Sequence, residues 1–380
     1  MTKIMPIVIG SLFWAWMTEA STRGKYGVHK QSSINYFPFF MLVLTLALPA
    51  ALRRSFNDTG AYIKGFMLAD PVGVLLQSGE LHILKNPLFY VYESLVRTFT
   101  DNYMIFFLFP AFFVQYSYMR FIRRHCTSFL FGVCLYLFLG TYVFSLAAMK
   151  QTIAMAILLY AVDALIERKN FRFYLLVFFA MMFHTYALMF VILPMFTVKP
   201  WSARTFLLLL GIFFVMANYN TVLKGFIEFA NESGKNVSSD ELMGTASINP
   251  IRVVVYAVPS LFALVLRRYI FVGEGEREYN IIVNMGFLTV AIMSVGLVNA
   301  ANMFARMGQY FEFGIICGLP WMISKPFEKS SERLVFLTAA VCFFFFFYYS
   351  NMVQIVFDNH FVRATIREFL QSILQDMIYG

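Results

Sequence analysis

Residues 173–198 read FYLLVFFAMMFHTYALMFVILPMFTV, a run of 26 residues without a Lys, Arg, Asp or Glu. Such a run is typical of a segment inside a lipid bilayer, because about 20 helical residues span the hydrocarbon core. His184 and Pro194 interrupt it, so it forms either one long tilted helix or a hairpin of two short ones. Each half would reach only about 18 Å, less than the roughly 30 Å core. We therefore expect a broken or re-entrant segment with His184 near its turn.

The composition of the whole chain agrees with a lipid environment. Of its 380 residues, 60% are hydrophobic and 13% are charged, whereas soluble domains carry about 25% charged residues. Further apolar runs follow one another too closely to form separate soluble cores. They predict a single integral membrane domain over residues 1–380, of the all-α polytopic class, with about 10–12 transmembrane helices.

The distribution of Lys and Arg orients these helices. The net charge is +9, and most basic residues lie in short loops between apolar runs, as is typical of the cytoplasmic side. Six basic loops share that side only if residues 173–198 cross twice or dip in and return. The long segments 52–102, 221–250 and 351–380 then face outwards. Because no soluble domain gathers the basic residues among aromatic ones, we expect no nucleic acid as a partner.

Two of the outer segments carry helical patterns. In the extracytoplasmic loop 52–102, an Asn-Pro dipeptide opens residues 86–99 and predicts the start of an amphipathic helix. In the C-terminal tail 351–380, apolar side chains recur at helical spacing over residues 366–378. This pattern predicts a helix that lies in the membrane interface.

The start of the outer loop combines cations with a carboxylate. Arg53 and Arg54 lie at an outer membrane boundary, against the positive-inside trend. If this stretch is helical, Arg54, Asp58 and Tyr62 are four residues apart and share a face. A guanidinium suits a phosphate or diphosphate, and Asp58 could orient it or act as a base. The alternative is an Arg–Asp pair that stabilises a loop helix.

Three further polar groups belong to the same outer layer. Glu93 precedes Arg97 by one helical turn, so it forms either a helical ion pair or a carboxylate directed into a cavity. Lys150-Gln151 interrupts an apolar stretch, and Lys150 either snorkels to the interface or binds an anionic headgroup. His184 is ionisable within an apolar segment, which makes it a candidate functional group.

Two cations later in the chain complete the pattern. Arg306 lies at the outer end of a predicted span with Tyr310 four residues on, and Arg252 follows another Asn-Pro dipeptide. Because the cations come from separate segments but map to one membrane face, we predict a cavity that binds a lipid-linked polyanion. The sequence contains no Walker loop, metal motif or nucleophile elbow, so we expect neither a metal nor another cofactor.

The order of these features resembles the EpsG-type family of polysaccharide polymerases over about residues 50–320. The motifs are Arg54 with Asp58-Thr59, Tyr62 and Phe66, then Glu93 with Leu95, then Lys150-Gln151 with Ala154, then Ala180, Phe183-His184 and Ala187-Leu188 after the basic loop Glu167-Arg168-Lys169, and finally Arg306 with Tyr310. The chain departs from the family pattern at Lys150, where Arg is expected. Lysine retains the charge but loses the bidentate geometry of arginine.

The resemblance implies a glycosyltransferase that joins oligosaccharide repeat units carried on undecaprenyl diphosphate. The reaction would occur at the outer face of the bacterial inner (cytoplasmic) membrane and make an exopolysaccharide, a capsule or an O-antigen. Cations would neutralise the leaving diphosphate, namely Arg53, Arg54, Lys150 and Arg306. One base would deprotonate the acceptor hydroxyl, namely Asp58, Glu93 or, slightly favoured, His184. Other side chains would bind substrate, namely Tyr62, Gln151, Arg252 and Tyr310.

Two other functions stay open from the sequence. A ligase or acyltransferase could act on the same lipid-linked glycan, and a transporter or flippase could use the same cations to move the diphosphate across the bilayer. Cations gathered at one membrane face favour catalysis over transport. The expected partners are the lipid-linked donor and acceptor, membrane lipid, a flippase and a chain-length regulator.

Overall fold

The computed structural model describes most of the chain, namely residues 3–21, 36–78, 81, 85–218, 221, 225, 228, 248–272, 276–297, 301–327, 329–348, 357 and 360–379. Most of the predicted outer segment 221–250 and of the basic loop 18–33 lies outside these residues. The described part is helical apart from one two-stranded sheet. The expected all-α class is confirmed.

The elements of the N-terminal part follow one another closely. In chain order they are α1 (Met5–Ser21), α2 (Tyr36–Ala51), β1 (Arg53–Ser55), α3 (Thr59–Leu68), α4 (Val72–Ser78), α5 (Pro87–Phe99), α6 (Tyr103–His125), α7 (Phe129–Phe138), α8 (Thr141–Ala147), α9 (Met149–Ile166) and α10 (Asn170–Phe183).

The C-terminal part begins with a 3-10 helix. In chain order its elements are that 3-10 helix (Thr185–Phe196), α11 (Ala203–Ala217), α12 (Pro250–Val265), α13 (Arg267–Ile270), α14 (Arg277–Val295), α15 (Ala301–Gln309), α16 (Phe313–Ser324), α17 (Ser330–Tyr348), β2 (Val362–Arg363) and α18 (Ile366–Tyr379).

Several described helices are long and apolar enough to cross a bilayer. Four of them, α6, α9, α14 and α17, meet this test by length and composition. The pair α7 and α8 is a further candidate, bent by 54° where Gly140 adopts a φ of 85°, a conformation that favours glycine. Apolar helices of 10–17 residues, such as α2, α12 and α16, accompany them. This set fits a polytopic membrane protein.

The apolar run 173–198 is broken at His184, as expected. The α-helix α10 ends before this residue and the 3-10 helix begins after it. The rings of Phe173 and Phe190 lie 6.4 Å apart, whereas a continuous helix would separate these residues by about 25 Å. The chain therefore doubles back, so the hairpin alternative is confirmed. Its two arms reach about 21 and 24 Å, each shorter than the hydrocarbon core.

Contacts group the chain into two compact units. Unit 1 comprises Met1–Ala161, Leu175–Ala187 and Val341–Gly380, and unit 2 comprises Val162–Tyr174 and Leu188–Ala340. Both units carry residues that the sequence marks as candidate site residues.

In unit 1, aromatic side chains pack the predicted outer loop onto the start of α6. Phe106 of α6 stacks on Phe66 of α3 with 4.7 Å between ring centroids, and it meets Phe89 of α5 edge-on at 6.2 Å. The Tyr92 hydroxyl donates a hydrogen bond to the Phe106 carbonyl at 2.5 Å. Each buried ring contributes about 1.5–3 kcal/mol. These contacts fix α3 and α5 relative to one another.

The C-terminal tail is bound to the same loop. Strand β2 pairs antiparallel with β1, and the Ala364 amide donates to the Leu52 carbonyl at 2.7 Å. The side-chain amide of Asn102, just before α6, donates to the Ser372 hydroxyl of α18 at 2.7 Å. Helix α18 confirms the helix that the spacing of residues 366–378 predicts.

In unit 2, α14 and α16 approach so closely that only glycine fits between them. A Cβ atom on Gly314 of α16 would lie 2.6 Å from the carbonyl carbon of Met285 on α14, far inside the usual carbon–carbon contact distance of about 3.5–4 Å. Along the same pair, the Trp321 and Tyr279 rings stack with their centroids 4.4 Å apart. Backbone contact between these helices therefore forms the core of unit 2.

Candidate functional site

Lys150 lies at the centre of a polar cluster in unit 1. It belongs to the first turn of α9, where backbone amides have no acceptor within the helix, and its amide donates to the Tyr62 hydroxyl at 3.4 Å. Its ammonium lies 4.5 Å from the ring centroids of both Phe89 and Tyr90, and it donates to the Tyr90 hydroxyl at 3.4 Å. The rings attract this cation. Helices α3, α5 and α9 therefore meet at Lys150.

Glu93 lies one turn beyond these rings on α5 and is only 5% exposed. Gly65 of α3 faces it, since a Cβ atom there would lie 3.1 Å from the Glu93 Oε1 atom. Burial raises the pKa of Glu93 to about 7, although the Lys150 charge opposes this shift. A carboxyl group with this pKa is partly ionised at neutral pH, as suits a general base.

The ion pair at the end of α5 joins Arg97 to Asp101, one turn further along the chain. The Arg97 guanidinium also lies 6.0 Å from the Phe66 ring centroid. Glu93 instead interacts electrostatically with the charge of Lys150. This arrangement favours a carboxylate directed towards the Lys150 cluster over an ordinary helical pair between Glu93 and Arg97.

Arg53 is enclosed beside this cluster and is 2% exposed. Its guanidinium carbon lies 4.0 Å from the centroid of the Phe107 ring, and its Nη2 donates to the Met149 sulfur at 3.7 Å. Burial lowers the pKa of Arg53 to about 10, which leaves it cationic at neutral pH. Met149 immediately precedes Lys150, so Arg53 adds a second positive charge near the start of α9.

Arg54 and Asp58 do not share a helical face with Tyr62, so the alignment predicted for a helical stretch is wrong. Arg54 lies on β1, which β2 holds in an extended conformation, and α3 begins only after Asp58. Arg54 instead forms an ion pair with Glu368 of α18 at 3.0 Å, and these side chains are 43% and 42% exposed. Asp58 is exposed.

The break at His184 is tied to the helix that carries Glu93. Asn86 has a φ of 56°, and its side-chain oxygen accepts hydrogen bonds from the amide and the hydroxyl of Thr185 at 3.0 and 3.1 Å. The predicted helix start is confirmed, but the Asn86 side chain does not cap α5, because its oxygen binds Thr185. His184 is half-buried, and its ring lies 5.2 Å from that of Tyr186.

Three predicted site residues belong to unit 2. Arg306 is exposed near the end of α15, and Tyr310 is buried immediately after that helix. Arg252 is half-buried in the first turn of α12, whose start is capped by the side chain of Asn249. Tyr310 therefore presents less surface to a substrate than Arg306 does.

The structure thus brings together Arg53, Tyr62, Glu93 and Lys150 in unit 1. Gln151 lies beside Lys150 and is buried. Within the described ranges, no group of three or more His, Cys, Asp or Glu side chains is placed to hold a metal ion.

Sequence reasoning missed several residues that contact these groups. Phe89 and Tyr90 belong to the predicted amphipathic helix, but their contact with Lys150 depends on the packing of distant segments. Gly65 could have been identified from the sequence, because a glycine inside a helical pattern often has a packing reason. In unit 2, sequence reasoning also missed Glu312, although an acidic residue inside a predicted span is a functional candidate.

The helices and this cluster define a class: a polytopic membrane protein with a buried carboxyl on the helix before the candidate span α6 and a cation in the first turn of the candidate span α9. The chain belongs to the EpsG family, whose sequence pattern matches residues 36–362. No curated protein and no solved structure matches the chain. Membership confirms the resemblance found from the sequence and supports a role in the polymerisation of polysaccharide repeat units.

Proposed function

We propose that this chain is a glycosyltransferase that joins oligosaccharide repeat units carried on undecaprenyl diphosphate, at the outer face of the bacterial inner membrane. The observation that carries the proposal is the buried Glu93 carboxyl, which interacts electrostatically with the Lys150 ammonium. A sugar diphosphate donor needs positive charge at its leaving group, and an acceptor hydroxyl needs a base. Lys150 supplies the positive charge and Glu93 supplies the base.

The reaction follows from these two groups. The acceptor hydroxyl oxygen attacks the anomeric carbon of the donor sugar, and the bond from that carbon to the diphosphate oxygen breaks. The electron pair leaves with the diphosphate, whose growing negative charge Lys150 stabilises. Ionised Glu93 takes the hydroxyl proton. The activated donor supplies the free energy.

Other residues support these roles. The Tyr62 hydroxyl holds the first turn of α9, and Phe89 with Tyr90 holds the Lys150 ammonium. Glu93 is favoured over His184 and Asp58 as the base, because its carboxyl is buried and interacts electrostatically with Lys150. The remaining predicted substrate contacts stay part of the proposal, namely Arg53, Arg54, Gln151, Arg252, Arg306 and Tyr310.

Purified full-length chain with lipid-linked repeat units tests this function. We expect a ladder of longer lipid-linked glycans together with free undecaprenyl diphosphate. A single transfer onto a different acceptor without a ladder would indicate a ligase instead. Lipid-linked sugar that crosses the vesicle membrane without any ladder would indicate a transporter.

Substitutions at Lys150 test the charge that the proposal assigns to it. We expect Lys150→Met to slow ladder formation about 10- to 100-fold, because a charge-assisted contact to the leaving group is lost. Lys150→Arg should stay within about threefold of the wild-type rate, because a guanidinium keeps the charge and stacks on aromatic rings. Lys64→Met removes an exposed cation of α3 and serves as the control. A Lys150→Met protein that elongates at the control rate contradicts the assignment.

Two glycines of α3 provide a matched pair for the position of Glu93. An added Cβ atom would crowd Glu93 at Gly65 but meet nothing within 4 Å at Gly60. We expect Gly65→Ala to slow ladder formation about fivefold to tenfold, because a displaced base loses its alignment. Gly60→Ala should retain the wild-type rate and a stable helix. Equal rates for the two variants would show that Glu93 tolerates the shift and would count against its role.

A further inference from the structure

Unit 2 contains a buried carboxyl group to which the proposed reaction assigns no role. Glu312 lies between α15 and α16 and is 0% exposed. The hydroxyl of Tyr256 on α12, also buried, donates to the Glu312 Oε1 atom at 2.5 Å. A buried carboxylate is costly unless it is hydrogen-bonded and compensated by a positive charge.

Arg252 carries a positive charge and contacts Tyr256. It precedes Tyr256 by one turn of α12, and its guanidinium carbon lies 5.5 Å from the centroid of the Tyr256 ring. The Tyr256 hydroxyl interacts with both Glu312 and Arg252. The three side chains form a connected series of guanidinium, phenol and carboxylate, so Glu312 fixes Tyr256 and Tyr256 fixes Arg252.

The contacts within this series do not use all the N–H donors of the Arg252 guanidinium. A guanidinium has five N–H donors, and the Nε of Arg252 is buried without an acceptor. The side chain as a whole is only half-buried, so its outer end can meet a ligand. The planar donors of arginine match the oxygens of a phosphate group, and the nearby start of α12 adds to the positive potential.

We propose that Glu312 and Tyr256 are positioning residues that hold the Arg252 guanidinium for a phosphate group on a membrane lipid. The lipid-linked diphosphate is the preferred source, and this choice rests on the proposed function. An anionic phospholipid offers the same chemistry. A purely structural role for the series would affect the stability of unit 2 but not the binding of a phosphate-bearing ligand.

A double-mutant cycle tests this inference by direct binding to the purified full-length chain. The ligands are undecaprenyl diphosphate, phosphatidylglycerol and, as a neutral blank, phosphatidylcholine. We expect Arg252→Met to weaken binding of the phosphate-bearing ligand at least tenfold and Tyr256→Phe to weaken it about fivefold. In the Arg252→Met background, Tyr256→Phe should have no further effect, because the group that it positions is absent. Arg268→Met, which removes an exposed cation of the same unit, should bind as the wild type does.

Each outcome of the cycle decides the inference. The inference is overturned if Tyr256→Phe weakens ligand binding equally in the wild-type and Arg252→Met backgrounds. It is also overturned if Tyr256→Phe lowers the unfolding temperature but leaves binding unchanged. Glu312→Gln should weaken binding in the same direction, and if that variant fails to fold, Tyr256→Phe still decides because it removes a single oxygen. Tighter binding of phosphatidylglycerol would support the phosphate contact but assign it to that lipid. If the wild-type chain makes a ladder but the variants bind the ligands as it does, this inference alone is refuted. If the variants lose binding as expected but the wild-type chain makes no ladder, the proposed reaction alone is refuted.

Discussion

Glu93→Gln will lower the rate of glycan elongation by about 10²–10⁴-fold, the contribution usual for general base catalysis. Glutamine has nearly the same shape as glutamate and keeps a hydrogen-bonding oxygen, but it cannot take the proton of the acceptor hydroxyl. The measurement is the initial rate of ladder formation at saturating donor. Asp70→Asn is the control, because it removes an exposed carboxylate from the same loop. Wild-type elongation by Glu93→Gln would move the role of base to another residue, with His184 the next candidate.

The pH dependence of the wild-type enzyme belongs to the same prediction. Because the pKa of Glu93 is about 7, the rate of elongation should rise with pH through this value as the carboxyl ionises.

The stability of the folded protein should change with pH in the opposite direction. The folded pKa exceeds the unfolded one, so the protonated carboxyl favours folding below about pH 4.5, and this contribution is lost as the pH rises through about 7. Glu93→Gln should remove this contribution to the pH dependence of the unfolding temperature.

Gly314→Ala will destabilise unit 2 by about 3 kcal/mol or more, at the upper end of overpacking effects. The added methyl would meet backbone atoms of α14, which cannot rotate away as a flexible side chain could. The helices would have to separate, and the stacking of Trp321 on Tyr279 would be lost with them. The measurement is the unfolding temperature in detergent together with the yield of monodisperse protein.

Gly211→Ala is the matched control for this substitution. Gly211 lies on α11 of the same unit, and a Cβ atom there would meet nothing within 4 Å. Alanine at this position should be neutral or should stabilise the helix by up to about 1 kcal/mol. If Gly314→Ala unfolds at the same temperature as Gly211→Ala, the close approach of α14 and α16 is wrong.

Features that depend on local sequence could be predicted. Apolar length and composition predicted the membrane helices, and the distribution of the basic loops together with the shortness of its two halves favoured a broken or re-entrant segment over residues 173–198. The Asn-Pro dipeptide predicted the start of α5 because proline is favoured at a first helical position. The family resemblance rested on short motifs whose order survives along the chain, and the match over residues 36–362 confirms it.

Contacts between distant segments could not be predicted. The pairing of β1 with β2 depends on segments from opposite ends of the chain, and it replaced the helical alignment of Arg54 with Asp58. The partner of Arg54 is therefore Glu368, which no local pattern indicates. Lys150 was recognised as an unusual cation, but the rings that hold it come from α5. The Glu312–Tyr256 bond likewise joins two helices far apart in sequence.

The pairing of β1 with β2 also has a consequence for biosynthesis. Strand β2 leaves the ribosome roughly 300 residues after β1, which at about 5–20 residues per second is a delay of roughly 15–60 s. Throughout this interval the edge of β1 exposes unpaired backbone groups, which are prone to pair with another chain. The nascent protein therefore needs protection at this edge, or rapid insertion of its later helices, until β2 has been synthesised.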